Sequence, residues 1–297
     1  MAVYKRAYRP YEGVYTPLRW RFMVIPRFAW SSLFESRVVL GFYFGAFIPA
    51  LLAAAFIYIV NSPTAQAFLS LQGATFLQVN NLFFMKYLVV QAFFCFLFAA
   101  LIGPGLMSVD FANDALPLFL SRPISRAEYL LGKFTVIAAI LSTITWVPAI
   151  LLFLLQASLA GFNWFANNLW IAGSILLGSV IWIVVLTLLV LALSAWVRWK
   201  VAATALTIVV FFVIPGFGEA INEVLRTYWG KLLNLSYLIG LVWTHLFDGP
   251  LTDPQAGTIH PRFIDLPLWT ACLMLTFVVA LSIWMLHKKL KPREVVR

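Results

Sequence analysis

Six stretches of this chain, residues 38–60, 87–107, 134–155, 171–197, 201–217 and 266–286, contain no Asp, Glu, Lys or Arg. A helix needs about 20 mostly apolar residues to cross the hydrocarbon core of a bilayer. Each stretch is therefore read as one transmembrane helix. Composition closes off the alternative of a water-soluble fold. Only 11% of the residues are charged and 63% are hydrophobic, whereas a soluble domain carries about 25% charged residues. Too few polar side chains remain to cover an exterior in water, so the exterior faces lipid. The expectation is an all-α integral membrane protein. Pro49, Gly103, Pro104 and Pro148 fall inside the runs and predict kinks that neighbouring helices accommodate.

Orientation follows from the basic residues between the runs, because Lys and Arg accumulate on the cytoplasmic side. With the N-terminus inside, all but Lys86, Arg226, Lys231 and Arg262 of the 21 Lys and Arg lie in inner segments. Both termini are thus expected in the cytoplasm, at the cell (inner) membrane. The net charge of +10 is a topology signal and not a nucleic-acid footprint, since the basic residues sit in short clusters with no nucleic-acid-binding motif around them. Residues 1–20 lack the apolar core of a secretory leader, so the first span is expected to be its own insertion signal. Cys95 and Cys272 lie in apolar runs and read as small buried hydrophobes.

One domain is expected over 1–297. It comprises a cytoplasmic N-terminus with an interfacial helix (1–37), spans one to five (38–217), an external segment (218–265), and span six with a basic tail (266–297). The interfacial helix covers 26–37: Trp30, Leu33 and Phe34 share one face, with Arg27, Ser31 and Glu35 along another. It reads either as a simple anchor or as a helix that also contacts a cytoplasmic partner. The uncharged connection 156–170 carries Trp164, Phe165 and Trp170, which suit an interfacial belt. The apolar stretch 232–247 is short and holds Asn234, Ser236 and His245. Counting it as a span would place the basic tail outside. It is read as a shallow or re-entrant segment after an amphipathic helix over 219–235.

The most patterned cytoplasmic segment is 108–133, SVDFANDALPLFLSRPISRAEYLLGK. Asp114 can N-cap a short helix whose first turn accepts Pro117. Leu116, Leu118, Phe119 and Leu120 make that helix apolar for an exposed loop, and such a patch calls for a partner or the lipid surface. Pro123 ends it. Ser125-Arg126-Ala127-Glu128 is a capping box, so the third helix starts before the membrane does.

The run Asp114-Ala115-Leu116-Pro117-Leu118-Phe119-Leu120-Ser121-Arg122-Pro123-Ile124-Ser125-Arg126, with Tyr129-Leu130-Leu131-Gly132-Lys133, resembles the loop between spans two and three of the type-2 export class of ATP-binding-cassette (ABC) transporter permeases. The layout of surface helix, six spans and long outer connection before the last span is similar too. The resemblance implies a cytoplasmic coupling helix that docks on a separate ABC ATPase subunit, with Asp110, Asp114, Leu116, Leu118, Phe119, Arg122 and Arg126 as the docking residues. Taken singly, Arg122 and Arg126 read equally well as topology markers. It also implies an external helical element before the last span, and a second permease subunit, identical or homologous.

No ATP-hydrolysing machinery is expected in this chain. The Gly-Lys pairs, Gly132-Lys133-Phe134 and Gly230-Lys231-Leu232, lack the preceding Gly and following hydroxyl of a phosphate-binding loop. ATP and Mg are expected on the partner subunit, with no cofactor here. The spans carry no ionisable acid or base for a proton- or ion-driven carrier, and no metal or nucleophile motif is present. The reading that competes with a permease is a non-transporting membrane anchor or scaffold within a larger complex.

Overall fold

The computed structural model describes residues 18–68, 78–115, 117, 119, 124–247 and 266–290, and these residues are helical with short connections and no strand. Among the described residues six helices are long and apolar enough to cross a membrane: Arg37–Asn61, Asn81–Ala112, Arg126–Ala160, Phe162–Trp196, Lys200–Leu225 and Leu268–Lys289. They match the six charge-free runs read from the sequence to within two residues where a run overshoots its helix. The fourth span is the axis of the bundle, with 72% of its apolar window buried, and the second span lies beside it. In the first span only 22% is buried. The fourth span is therefore shielded by its neighbours, while the first, fifth and sixth spans leave most of their apolar surface outside the bundle.

The prolines act as their chemistry requires. Pro104 has no N–H for the Ala100 carbonyl, and a proline inside a helix costs about 3 kcal/mol when nothing compensates. The second span nevertheless runs through it unbroken. Thr204 of the fifth span donates its hydroxyl to the freed Ala100 carbonyl at 3.2 Å, and Ser108 donates to the carbonyl of Pro104 itself. Elsewhere the helix breaks instead: the first span is interrupted at Ala46 and Phe47 just before Pro49, and the third at Thr145 just before Pro148. Gln91 donates to the Ala46 carbonyl at 3.2 Å and stitches the second span to the break in the first.

Between spans three and four the structure differs from the expected loop over 156–170. The third helix runs to Ala160, the fourth starts at Phe162, and Gly161 alone joins them with φ 92° and ψ 169°. That conformation is open essentially only to glycine. Trp164 and Phe165 do not form a free belt. They pack on Phe153 of the third span, with ring centroids 5.4 and 5.9 Å away.

The segment before the last span also departs from its reading. The fifth helix passes through a π-helical turn at Val209–Val213, just before Pro215, and continues to Leu225. Arg226 then reverses the chain in a left-handed conformation, so no single amphipathic helix covers 219–235. A short 3-10 turn, Trp229–Leu233, returns alongside, with the Gly230 amide donating to Asn222 at 2.8 Å. The helix Leu235–Phe247 is then buried in the bundle. Its 13 residues span about 20 Å, too short for a 30 Å core. Trp243 donates to the Gly178 carbonyl at 3.0 Å and Ser174 to the Leu246 carbonyl at 2.6 Å, so it runs antiparallel to the fourth span. Asn81, at the start of the second span, caps the Phe247 carbonyl at 2.7 Å. In the sequence, length, the polar residues Asn234, Ser236 and His245 and the basic tail argue against a seventh crossing; the depth of burial follows from partners far away in the chain.

Candidate functional site

The ends of the spans that carry most of the basic residues converge on one end of the bundle, and there the second and third helices hold a charged cluster. Asp110 lies in the last turn of the second helix, where the helix dipole is unfavourable to a carboxylate. Its compensation comes from another helix: the Lys133 ammonium lies 2.6 Å from its Oδ2. Tyr129 donates its hydroxyl to the same oxygen at 2.7 Å. Tyr129 and Lys133 are four residues apart on one face of the third helix and so act as one unit. Tyr129 is fully buried, and the Lys133 and Asp110 side chains retain 9% and 18% of their exposure.

Local sequence builds both sides of this cluster. Asp114 adopts a left-handed conformation, φ 48°, and the Ala115 amide reaches back to the Asp110 carbonyl at 2.9 Å. This is a Schellman-type stop. Asp114 therefore terminates the second helix, in place of the N-cap role expected for it. On the other side the capping box is formed. Ser125 Oγ accepts from the Glu128 amide at 3.2 Å, and Glu128 accepts from the Ser125 amide at 2.6 Å. Within the segment 108–133 the second helix runs to Ala112, and the third begins at Arg126, where the capping box places it.

The connection itself reaches the cluster through Phe119. Its ring packs on Tyr129 with centroids 5.3 Å apart, and the Lys133 ammonium stands 5.8 Å from its centre. Of the other expected docking residues, Asp114 and Arg126 are exposed. Leu116, Leu118 and Arg122 lie outside the described residues. Lys133 and Tyr129 were not singled out for a role by sequence, where Lys133 read as one more positive-side marker. The available signal was its position, a lysine directly abutting an apolar run with Tyr129 one turn earlier.

A second face of the third helix is held by the N-terminal helix Val24–Phe34. Ile25 packs on Gly132, where an added Cβ would lie 3.0 Å from the Ile25 side chain. Trp30 donates its indole N–H to the Val136 carbonyl at 3.1 Å. Leu33 packs against the core, Phe34 meets Tyr43 edge-on at 5.3 Å, and Arg27 is exposed. The start of the third helix is thus gripped on one face by Asp110 and Phe119 and on another by Ile25 and Trp30. No three metal-ligating side chains come together among the described residues. The cluster ties the end of the second helix to the start of the third, with Asp110 and Lys133 paired to each other.

A family model described as ABC-2 family transporter protein matches residues 30–253. The chain belongs to that family. The match takes in the latter part of the N-terminal helix, the first five spans and the buried helix of this ABC-2 permease. No curated protein matches it. As a member of the ABC-2 family the chain is a multi-pass membrane component of an ABC transporter, and the charged cluster stands where the second and third spans of the permease are joined.

Proposed function

We propose that this chain forms the substrate route of an ABC exporter and is coupled to a separate ATPase subunit through the 108–133 loop. The observation that carries the reading is Phe119. A loop that packs its own aromatic ring against Tyr129 and over Lys133 is attached to the starts and ends of two spans. Any displacement of the loop by a partner therefore moves those spans. ATP and Mg belong to the partner in this reading, and Arg126, Arg122 and Leu118 are among the residues assigned to docking it.

The basic end is proposed as the cytoplasmic end, with both termini inside the cell (inner) membrane. The supporting observation is that Arg126, Arg198, Lys200, Lys288 and Lys289 flank the same end of the bundle. Cysteine labelling checks this. In a background with Cys272, the exposed native thiol, replaced by serine, a cysteine at the exposed Ser158 should react with an impermeant reagent on intact cells. One at the exposed Ala127 should react only after permeabilisation. The reverse pattern would invert the proposed orientation.

One bundle of six helices is too small to enclose a wide route readily, so two permease halves are expected to meet around it. Native mass spectrometry of the complex purified under mild conditions should find two permease chains together with ATPase subunits. A complex active in transport with one permease chain would remove the paired-half part of the proposal. Isolation of a stable assembly without any ATPase would favour the scaffold reading.

A further inference from the structure

Where the fourth and sixth spans end, two lysines stand over one indole. The Lys288 ammonium lies 6.0 Å and the Lys289 ammonium 5.6 Å from the centre of the Trp196 ring. Lys288 is also 5.1 Å from Trp284, and Lys289 is 5.7 Å from Phe111 of the second span. Trp196 is fixed in place by its N–H, which donates to the Met285 carbonyl at 3.3 Å.

Like charges gathered at one ring repel each other, and a neighbouring carboxylate would normally relieve them. Among the described residues none does. Asp110, one residue from Phe111, is committed to Lys133, and no carboxylate lies within ion-pair distance of Lys288 or Lys289. Arg198, exposed in the short connection after Trp196, adds a further cation. The indoles do not supply the missing charge, since a cation over an exposed ring gains only about 0.5–1 kcal/mol. What they do is mark depth. Trp196 and Trp284 are 44% and 56% exposed, at span ends where tryptophan sits at headgroup level.

We propose that Trp196, Lys288 and Lys289 form a binding site for the phosphate of an anionic phospholipid headgroup, held at the junction of the second, fourth and sixth spans. A lipid is favoured over free phosphate because the site opens at exposed tryptophans on span ends and the sixth span beside it is mostly unburied. The acyl chains then lie along exposed Ile283 and Leu281.

The full chain in nanodiscs or mild detergent, titrated by native mass spectrometry with phosphatidylglycerol and with phosphatidylcholine of the same acyl chains, tests this. Wild type should prefer the anionic lipid by about tenfold or more, the scale expected for two interfacial lysines. The Lys288→Gln/Lys289→Gln pair should reduce the preference to about twofold or less, and Lys288→Arg/Lys289→Arg should restore it. The charge-matched pair Lys86→Gln/Arg226→Gln, at the opposite end, should leave it intact. An equal loss in both glutamine pairs would mean a diffuse field and not a site, and would overturn the proposal. So would a retained preference in Lys288→Gln/Lys289→Gln. Displacement of the lipid by millimolar inorganic phosphate would show a free-phosphate site instead, which also overturns it.

Discussion

Lys133→Met should destabilise the folded permease by about 2–4 kcal/mol, which a thermal or denaturant unfolding curve of the purified protein in detergent will read. The expectation comes from what remains. Methionine fills the space of the lysine stem, but Asp110 is left without its counter-charge in the last turn of a helix whose dipole opposes a carboxylate, next to a fully buried tyrosine. Removing one member of a buried pair strands the other, and that costs far more than the pair is worth when intact. The figure is set below the fully buried limit because Asp110 keeps 18% of its side-chain exposure. The double variant Asp110→Asn/Lys133→Met should recover most of the loss, since asparagine still accepts the Tyr129 hydroxyl without a charge. If the double variant is as unstable as the sum of the single ones, the two side chains are not energetically coupled and the pair is incidental.

Leu118→Asp and Phe119→Asp, one residue apart, should fail in different ways. Phe119 is half-buried against Tyr129 and within reach of Lys133, so an aspartate there should weaken the permease itself, in the manner of Lys133→Met. Leu118 belongs to the apolar stretch that the proposed ATPase covers. Burying a leucine against a partner contributes about 2–3 kcal/mol, and a carboxylate in its place adds desolvation. Leu118→Asp should therefore leave insertion and thermal stability near wild type. ATPase co-purification and ATP-driven transport should fall by well over tenfold. Arg122→Glu should impair transport more than Arg122→Ala, because repulsion is added to a lost contact if the partner surface is acidic. Full retention of ATPase by Leu118→Asp and Arg122→Glu would leave the loop without its coupling role.

What could be read in advance divides by the range of the interaction. The six spans were visible because a missing charge is a property of each run alone. The Ser125–Glu128 box was visible because its partners are three residues apart, and it forms as written. Asp114 was misplaced on the same local grounds: a residue favoured at helix starts also tolerates the left-handed conformation that stops one. The Asp110–Lys133 pair joins the ends of two helices, and a single sequence gives no pairing across that gap. The contact of Trp30 with Val136 and the depth of Leu235–Phe247 were hidden for the same reason. Pro104 shows the limit in reverse, since the carbonyl it leaves unpaired is satisfied by a threonine one hundred residues further on.

The buried helix Leu235–Phe247 also sets an order of events during biosynthesis. It lies against the second, fourth and sixth spans, and the sixth is synthesised after it. When this segment leaves the ribosome, one wall of its resting place does not yet exist, and it is too short to be handed to the bilayer as a crossing of its own. It must wait at the surface and enter the bundle only once the last helix arrives. A nascent chain halted before Leu268 would consequently display an apolar, tryptophan-bearing segment, the kind of feature that chaperones and quality-control proteases recognise, while a finished one hides it.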